Sequence, residues 1–433
     1  MQFDVSYTKL KNGVRVLSVP IPGVESVTAM VLCKTGSRNE TLSQAGISHV
    51  LEHMVFKGTK KYPSPMAIAE AVDSIGAEQN AFTSKEYTGY YITSAAKYLG
   101  LTLDIQAEML TKPLLPQSDL EREREVIVEE INMYEDQPMA MAGELFENLM
   151  YDGSSMGRLI IGKKETVRAT TSQDLRKYMN RWYVGGNMLI VVAGNLNHKS
   201  EIINSKQIRN PKLEILKLIE EKFGMMGEGE IDPYETPAIY GEAEAKHFQK
   251  KTEQAHFVMG VPGLSIRDPR RYALQMGQIV LGGGMSSRLF NEIREKRGLA
   301  YYVKADLDTN SDCGYLSVRA GVNLEKLSEA MEVVREEMFK LAGTITEAEL
   351  SKAKEYVLGH MPLSLESSMG VAQFFGMRAL VLDEVRSPEQ VRREIGDVGL
   401  DEVKQVVGEM VSTDKIRSVV VGPASGRGKP KAK

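Results

Sequence analysis

The chain has 433 residues, of which 42% are hydrophobic and 26% charged, and a formal net charge of -4. This length exceeds one ordinary domain, and the nearly balanced charge gives no reason to expect nucleic acid as a partner. No stretch approaches the roughly 20 apolar residues of a membrane span. Cys33 and Cys313 are the only cysteines, too few for a disulfide framework or a thiolate metal cluster. We expect a cytoplasmic protein with no membrane or nucleic-acid partner.

The first half alternates predicted strands and helices. Its first residues predict a strand, a turn at Lys11-Asn12-Gly13 and a second strand, and they lack the apolar region of a secretory signal. Strands are predicted at 14–20, 27–36, 87–96 and 187–196, and helices at 47–58, 99–112, 118–136 and near 175–183. Ser118 is the predicted N-cap of the third helix.

The chain is predicted to contain two domains joined by a linker. Residues 225–245 mix glycine, proline and acidic residues without a period, which is typical of a linker. It separates a first domain at 1–224 from a second at 246–423. The last ten residues, 424–433, form a basic tail that we expect to be disordered.

The second half weakly repeats the first. At an offset of 277 − 46 = 231 residues, AGISHVLEHM in the first half matches MGQIVLGGGM in the second. A strand followed by a helix then recurs in both halves. The second copy has Val280, Gly283 and Gly284 where the first has His49, Glu52 and His53. If the halves arose by duplication, the polar triad belongs to the first copy.

HVLEHMVFKGT at 49–59 places two of the six histidines four residues apart, with a glutamate before the second. In a helix, His49, Glu52 and His53 share one face. The opposite face is apolar and consists of Ile47, Val50, Leu51 and Met54. Two imidazoles aimed at one spot suit zinc, and Glu52 between them suits a general base. The alternative is a partly exposed helix whose histidines are only solvated, but the motif's coherent chemistry favours the metal site.

A catalytic zinc ion needs three protein ligands and an open position, so a third ligand must come from elsewhere. The helix predicted at 118–136 is the candidate source. Its acids include Glu121, Glu123, Glu125, Glu129 and Glu130. Glu123 and Glu130 lie two turns apart on one face. Such a run alone is typical of a solvated charged face, but the missing ligand favours a role in the metal site.

Together these motifs resemble the pitrilysin, insulin-degrading enzyme and mitochondrial processing peptidase family of inverted zinc metallopeptidases. The resemblance rests on HVLEH at 49–53, ERER at 121–124, VIVEE at 126–130, GAEQNAFTSKEYT at 76–88 and IREKRGLAYYV at 293–303. It covers nearly the whole chain and implies an endopeptidase with one Zn²⁺ per chain and peptide substrates. The implied fold class is α+β, with two homologous domains forming a half-clamshell. Each domain is expected to be a mostly antiparallel sheet packed with helices.

The resemblance implies a role for each residue of the metal site. Glu130 is the implied third ligand beside the two histidines, and Glu123 is the acid that supports them. Glu129 is the alternative ligand if the register shifts by one residue. Glu52 is the general base that takes a proton from water and delivers it to the leaving amine.

Two further motifs match features of the same family. Arg294 and Tyr301 have the spacing of a pair thought to stabilise the oxyanion; standing alone, they would be a helix-end arginine and a strand tyrosine. Gly282–Gly284 resembles the glycine-rich loop of the processing peptidase's non-catalytic partner. It is either part of a chamber or gate, or a tight turn that ends a helix.

An edge strand is the predicted substrate-binding element. Residues 79–87, QNAFTSKEY, carry β-favouring side chains and match the family strand that pairs with the peptide backbone. The predicted substrate-binding residues are Asn80, Ala81, Phe82 and Thr83. Pairing through the main chain suits extended or unfolded peptides, because pockets rather than the backbone set sequence preference.

The assembly and two rival functions remain open at this stage. Full-length pitrilysin-like enzymes have four homologous domains, whereas this chain has two and resembles the short, processing-peptidase-like branch. A homodimer with two sites is expected, and a heterodimer with a homologous subunit is the alternative. The main rival function is a non-catalytic structural subunit, as in the core proteins of the cytochrome bc1 complex. A metal-dependent peptide-binding module is the second rival, although it would leave Glu52 without a task.

Overall fold

The structure, a computed structural model, describes residues 3–196, 211–229, 240–242 and 244–423. Within them the chain forms two sheets surrounded by helices, which confirms the predicted α+β class. Much of the predicted linker, at 230–239, and the basic tail at 424–433 lie outside the described residues. The expectations for those segments stay predictions.

The first sheet has six strands in the described part of the chain, in the order β1-β2-β6-β3-β5-β4. They are β1 (Ser6–Lys9), β2 (Arg15–Pro20), β3 (Ser26–Cys33), β4 (Glu78–Thr83), β5 (Thr88–Ala95) and β6 (Met188–Gly194). Neighbours are antiparallel except β2 and β6. The central strand β6 is buried along its whole length, as its apolar sequence predicts. β4 lies at the edge of the sheet, where the substrate strand was expected at 79–87, but the strand ends at Thr83 and residues 84–87 form the turn to β5.

The second sheet has five strands among the described residues, in the order β7-β11-β8-β10-β9. They are β7 (Ala245–Gln249), β8 (Gln254–Pro262), β9 (Ala300–Thr309), β10 (Gly314–Asn323) and β11 (Arg417–Gly422). Its one parallel pair is β7 and β11. These strands repeat the order β2-β6-β3-β5-β4 of the first sheet. The offset of 277 − 46 = 231 residues brings β2, β6, β3 and β5 onto β7, β11, β8 and β10, whereas β9 lies earlier in the chain than the offset predicts for the counterpart of β4. The two sheets thus share a strand order, which agrees with the weak repeat in the sequence.

Helices cover both sheets. They are α1 (Ile47–Met54), α2 (Pro65–Asp73), α3 (Leu99–Thr111), α4 (Gln117–Asp136), α5 (Pro138–Met150), α6 (Lys164–Ala169), α7 (Ser172–Trp182), α8 (Pro211–Phe223), α9 (Arg271–Gly282), α10 (Leu327–Thr344), α11 (Glu347–Ser364), α12 (Ser368–Leu382), α13 (Pro388–Gly396) and α14 (Leu400–Met410). None of these helices of the described chain combines the length and apolar character needed to cross a membrane. The cytoplasmic location stays a prediction.

The predicted cap of α4 is wrong. Ser118 lies inside α4, which begins at Gln117. The backbone N–H groups of Asp119 and Leu120 donate to the carbonyl of Pro116, at 3.2 and 3.1 Å, so the first turn is closed by the main chain rather than by a serine side chain. Pro116 therefore stands directly before the first helical residue, and its carbonyl accepts the first hydrogen bonds of the helix.

The described residues form two compact units, and each unit includes a helix from the opposite half of the sequence. The first unit contains described residues within 1–129, 159–235 and 360–390, and the second those within 130–158, 236–359 and 391–433. In the first unit α12 packs on β3 and β6, and in the second α5 packs on β8 and β11. α5 and α12 are counterparts under the sequence repeat. A division of the chain at one linker does not capture this reciprocal exchange.

Polar contacts at both ends fix α12 to the first sheet. At its start, Ser368 Oγ lies 2.9 Å from Thr28 Oγ1 on β3. Just beyond its end, Asp383 accepts a hydrogen bond from Arg15 Nη1 on β2 at 3.0 Å. The exchanged helix is therefore an integral layer of the first unit.

Candidate metal centre

α1 has the two faces that its sequence predicts. Its apolar residues Ile47, Val50, Leu51 and Met54 are all at most 1% exposed. On the other face, the ring centroids of His49 and His53 are 4.6 Å apart. The apolar face anchors the helix, and the two imidazoles are thereby held side by side.

The start of α1 is held by an acid outside the helix. Glu40, only 4% exposed, accepts hydrogen bonds from the backbone N–H groups of Gly46 at 2.7 Å and Ser48 at 2.9 Å. A carboxylate at this position satisfies unpaired N–H groups and interacts favourably with the helix dipole. Gly46 has a φ of 93°, and a Cβ there would lie 2.6 Å from the carbonyl oxygen of Ile161, so the turn into the helix requires glycine.

A network of buried hydroxyl groups holds the inner side of α1. Ser48 Oγ lies 2.8 Å from the hydroxyl of Tyr178 on α7, and this hydroxyl also lies 2.8 Å from Thr35 Oγ1. All three residues are buried. The histidine-bearing helix is thus fixed by polar contacts at its N-terminus and on its inner side as well as by apolar packing.

Glu130 on α4 completes a three-residue group with the two histidines. One potential ligand atom each from His49, His53 and Glu130 lies within 4.8 Å of the others. Glu129 is exposed and is not part of this group among the described residues. Of the two alternatives left open by the sequence, the geometry therefore places Glu130 with the histidines. Two imidazole nitrogens and one carboxylate oxygen are a donor set that fits catalytic zinc.

Glu123 connects this group to a lysine. Its carboxylate lies 2.9 Å from His53 Nδ1 and 2.6 Å from Lys57 Nζ. Burial alone would raise the pKa of Glu123, but the hydrogen bonds with His53 and Lys57 lower it below its usual value. An ionised carboxylate on Nδ1 orients the ring so that a metal would bind through Nε2, the arrangement common among zinc histidines. Glu123 therefore lies where the predicted supporting acid was expected.

His49 is held in the neutral form. Burial, together with the nearby His53, lowers the pKa of His49 to about 3. At neutral pH its ring is uncharged, and a neutral imidazole is the form that coordinates zinc.

Glu52 lies beside the ligand group but is not one of its members. The hydroxyl of Thr83, at the end of β4, donates a hydrogen bond to the Glu52 carboxylate. The sequence predicted Thr83 as a substrate contact, whereas the structure links its side chain to the candidate general base. This hydrogen bond connects the edge strand β4 to α1, the helix that carries His49 and His53.

The other predicted substrate residues lie along β4. The strand pairs with β5, and no described strand lies on its other side. Asn80 is exposed, and its Oδ1 accepts a hydrogen bond from the N–H of Ala81 at 2.8 Å. The ring of Phe82 lies over Gly89 on β5, where a Cβ would overlap it, so Phe82 also packs the hairpin. The open side of β4 can accept an added peptide strand.

Arg294 and Tyr301 lie together in the second unit, and not in the group formed by His49, His53 and Glu130. Arg294 belongs to a π-helical turn at Phe290–Glu295, and its guanidinium carbon lies 5.0 Å from the ring centroid of Phe290 and 5.8 Å from that of Tyr301. Tyr301 is 77% exposed. The pair presents polar groups at the surface of this unit, and its role in catalysis stays a prediction.

Gly282–Gly284 follows the second-half counterpart of α1. α9 ends at Gly282, and the hydroxyl of Tyr356 donates to the carbonyl of Gly283 at 3.1 Å. The segment therefore ends a helix. Whether it also gates a chamber stays a prediction.

Similarity to known proteins now decides the family. Residues 15–164 match the insulinase family of peptidases, family M16, and residues 209–357 match the peptidase M16 inactive domain. An uncharacterized zinc protease of Streptomyces coelicolor is 34% identical over 97% of this chain and 90% of that protein. The chain belongs to peptidase family M16. An uncharacterized zinc protease of Bacillus subtilis is 35% identical over 93% of this chain and 95% of its own length, as expected for the short branch of M16.

Solved structures share the M16 fold over nearly the whole chain. A protease from Helicobacter pylori has a TM-score of 0.88 at 25% identity, covering 98% of this chain and 100% of that one. A peptidase M16 inactive domain from Pseudomonas fluorescens has a TM-score of 0.87 at 20% identity, covering 98% of this chain and 99% of that one. A chain of complex III2 from Candida albicans has a TM-score of 0.82 at 18% identity, covering 96% of each. The last two likenesses show the fold alone, so activity must be argued from the site.

Sequence reasoning did not identify Glu40 or Tyr178. Glu40 lies six residues before Gly46, whose N–H donates to it, and this separation is outside the positions where a capping acid is normally sought. Tyr178 contacts Ser48 across 130 positions of sequence. Neither contact has a local sequence signal, since both depend on how distant segments pack.

Proposed function

We propose that this M16 protein is a zinc-dependent endopeptidase that cleaves extended or unfolded peptides. The observation that carries the proposal is the joint placement of His49, His53 and Glu130 beside Glu52. When bound, zinc would supply Lewis acidity that polarises the scissile carbonyl and makes water more acidic. The M16 zinc proteases at 34% and 35% identity support the same metal and reaction class.

The Glu52 carboxylate acts as the general base. It takes a proton from the attacking water and later delivers it to the leaving nitrogen of the cleaved peptide bond. Thr83 donates to this carboxylate and thereby limits its orientation. Glu123 likewise limits the orientation of the His53 ring through the hydrogen bond at Nδ1. Each reacting or coordinating side chain thus has a partner that fixes its direction.

Substrate binds as an additional strand on the open edge of β4. The backbone near Asn80 and Ala81 supplies main-chain hydrogen bonds, which explains a preference for extended peptides over folded proteins. Arg294 and Tyr301 donate to the oxyanion that forms on the scissile carbonyl. Leader peptides and fragments of unfolded proteins are both compatible substrates, and mapping cut sites in a peptide library distinguishes them.

The proposed assembly is a homodimer with two sites, in which Arg294 and Tyr301 of one subunit complete the zinc site of the other. The resemblance to the four-domain pitrilysin-like enzymes implies zinc ligands from the first domain and the matching Arg and Tyr from the fourth. A chain with two domains can match the four-domain arrangement if a second chain provides the Arg and the Tyr. A heterodimer with a homologous subunit is the alternative.

The rival function, a structural subunit without catalysis, rests on fold alone. A chain of complex III2 shares this fold at 18% identity. Loss of a ligand would be the mark of such a subunit, yet the two histidines, Glu130 and Glu52 are all present. The complete site favours the peptidase.

Glu52→Gln distinguishes the two functions. Glutamine keeps the shape of the side chain but cannot accept the proton, so cleavage of a fluorogenic peptide mixture should fall by roughly 10²–10⁴-fold. Zinc content should stay near that of wild type, because Glu52 is not in the ligand group. If zinc-loaded wild type cleaves no peptide, or if the variant remains fully active, the proposed function is wrong.

A further inference from the structure

Residues 36–40 connect two parts of the proposed active site. On one side, the N–H of Ser37 donates to the carbonyl of Ser84 at 3.2 Å, and the N–H of Arg38 donates to the carbonyl of Lys85 at 2.8 Å. These bonds fasten residues 36–40 to the turn between β4 and β5. That turn begins directly after Thr83, whose hydroxyl donates to Glu52.

A fully buried ion pair joins the same two segments. Arg38 Nη1 lies 2.6 Å from Glu86 Oε1, and the two side chains are 0% and 3% exposed. Removing two charges from water carries a desolvation cost that an apolar pair of similar size avoids. A buried pair is therefore weak evidence for stability. Its geometry, by contrast, is specific, because the guanidinium and the carboxylate fit in few relative orientations.

Gly36 provides a second, independent sign of close fit. A Cβ at this position would overlap the carbonyl oxygen of Ser84 and lie 2.7 Å from that of Lys85. Its backbone is extended, so the requirement for glycine comes from the approach of the turn and not from an unusual φ. Residues 36–40 and the turn are thus held together by main-chain bonds, by close contact and by a buried charge pair.

The other end of residues 36–40 holds α1. Glu40 accepts hydrogen bonds from Gly46 and Ser48 at the start of this helix. The contacts form a closed loop, because the turn directly follows Thr83, Thr83 contacts Glu52 on α1, and the start of α1 is held by Glu40. Displacing the turn would therefore move the Thr83 hydroxyl relative to the Glu52 carboxylate.

We propose that Arg38 and Glu86 are positioning residues that set the contact between Thr83 and Glu52 and thereby orient the general base. The inference rests on the proposed role of Glu52. Neither Arg38 nor Glu86 needs to touch the substrate. The pair acts through Thr83, and its contribution belongs to turnover rather than to zinc binding or substrate affinity.

A double-mutant cycle on the zinc-loaded full chain tests this. Thr83→Val and Glu86→Gln should each lower kcat by about 10–100-fold, the range for groups that orient active-site residues, with KM and zinc content near wild type. If Glu86 acts through Thr83, the double variant should be no slower than the slower single variant. Effects on kcat that multiply, or a Glu86→Gln variant with wild-type kcat, would overturn the proposal.

Two further variants separate positioning from stability. Arg38→Met/Glu86→Leu replaces both buried charges with apolar groups, a change that buried ion pairs often tolerate. It serves as the folded test variant if Glu86→Gln alone does not fold. It should retain the wild-type Tm yet show the reduced kcat; wild-type kcat in this variant would contradict the proposal. Asp383→Asn, which breaks a more exposed ion pair with Arg15 in the same unit, is the control for loss of an ion pair away from the site and should keep kcat and KM. An inactive zinc-loaded wild type would instead contradict the proposed function itself.

Discussion

His49→Ala, His53→Ala and Glu130→Gln are each expected to lose most of the bound zinc and, with it, peptidase activity. The three donor atoms lie within 4.8 Å of one another. Each alanine variant removes a donor nitrogen, and Glu130→Gln replaces the anionic carboxylate oxygen with a neutral amide oxygen that binds zinc weakly, so two good ligands remain and hold zinc poorly. The loss of affinity should exceed the roughly 10–100-fold cost of changing an outer-shell partner. Zinc per chain, measured by mass spectrometry of the metal after gel filtration, provides the readout.

Glu129→Gln is the matched control for this series. Glu129 is adjacent to Glu130 on α4, and its substitution makes the same change from a carboxylate to an amide. It is exposed, however, and lies outside the ligand group of the described residues. This variant should keep about one zinc per chain and near wild-type activity. If Glu129→Gln loses the metal while Glu130→Gln retains it, the assigned ligand is wrong by one residue.

Mixing two inactive variants is expected to restore activity if the proposed homodimer is correct. Glu52→Gln lacks the general base, and Arg294→Ala/Tyr301→Phe lacks the proposed oxyanion donors. In a mixed dimer, the intact zinc site of one subunit meets the intact Arg294 and Tyr301 of the other. Random exchange in an equal mixture makes about half of the dimers mixed, each with one working site of two, so activity should approach roughly a quarter of wild type.

The mixing experiment needs proof of subunit exchange, which fluorescence energy transfer between labelled subunits provides. Arg297→Ala is a useful neighbour control, because the Arg297 guanidinium donates to Glu292 close to the pair, and this variant should stay active alone. No recovery of activity despite proven exchange would contradict a site completed by a second copy of the chain. Completion within one chain, or by a different partner, would then be the better explanation.

Helix α1 could be predicted from sequence because the pattern that determines its two faces lies within a few consecutive residues. The spacing of His49, Glu52 and His53 determines a shared face, and the apolar residues between them determine the buried one. The choice between Glu129 and Glu130 was harder. Adjacent residues on a helix differ by about 100° in direction, but several flanking acids make the register ambiguous until α4 is placed against α1.

The exchange of α5 and α12 was not predicted. The apolar residues of α5, namely Ala142, Phe146, Leu149 and Met150, have helical spacing, so the existence of this helix was within reach of sequence. Its packing partner was not. α5 joins a core with Val258 and Val419, which lie more than a hundred residues away, and helical periodicity specifies a buried face without specifying what covers it.

Charged and polar contacts between distant segments were the least predictable part of the site. Glu123 was expected to support a histidine, and its contacts with His53 and Lys57 agree with that expectation. Arg38 and Glu40 lay outside the recognised motifs, Glu86 lay inside GAEQNAFTSKEYT without an assigned role, and Thr83 was expected to face substrate. Their arrangement depends on how the β4–β5 turn approaches α1, which is a property of tertiary packing.

Removal and return of zinc is the most direct test of a zinc peptidase. Cleavage of a fluorogenic peptide is measured on the full chain as purified, after chelation and dialysis, and after stepwise addition of Zn²⁺. Activity should be lost on chelation and should return in proportion to added zinc, reaching a plateau at about one zinc per chain. Activity that persists in metal-free protein, or a protein that holds one zinc per chain at this site and cleaves no peptide, would contradict the assignment.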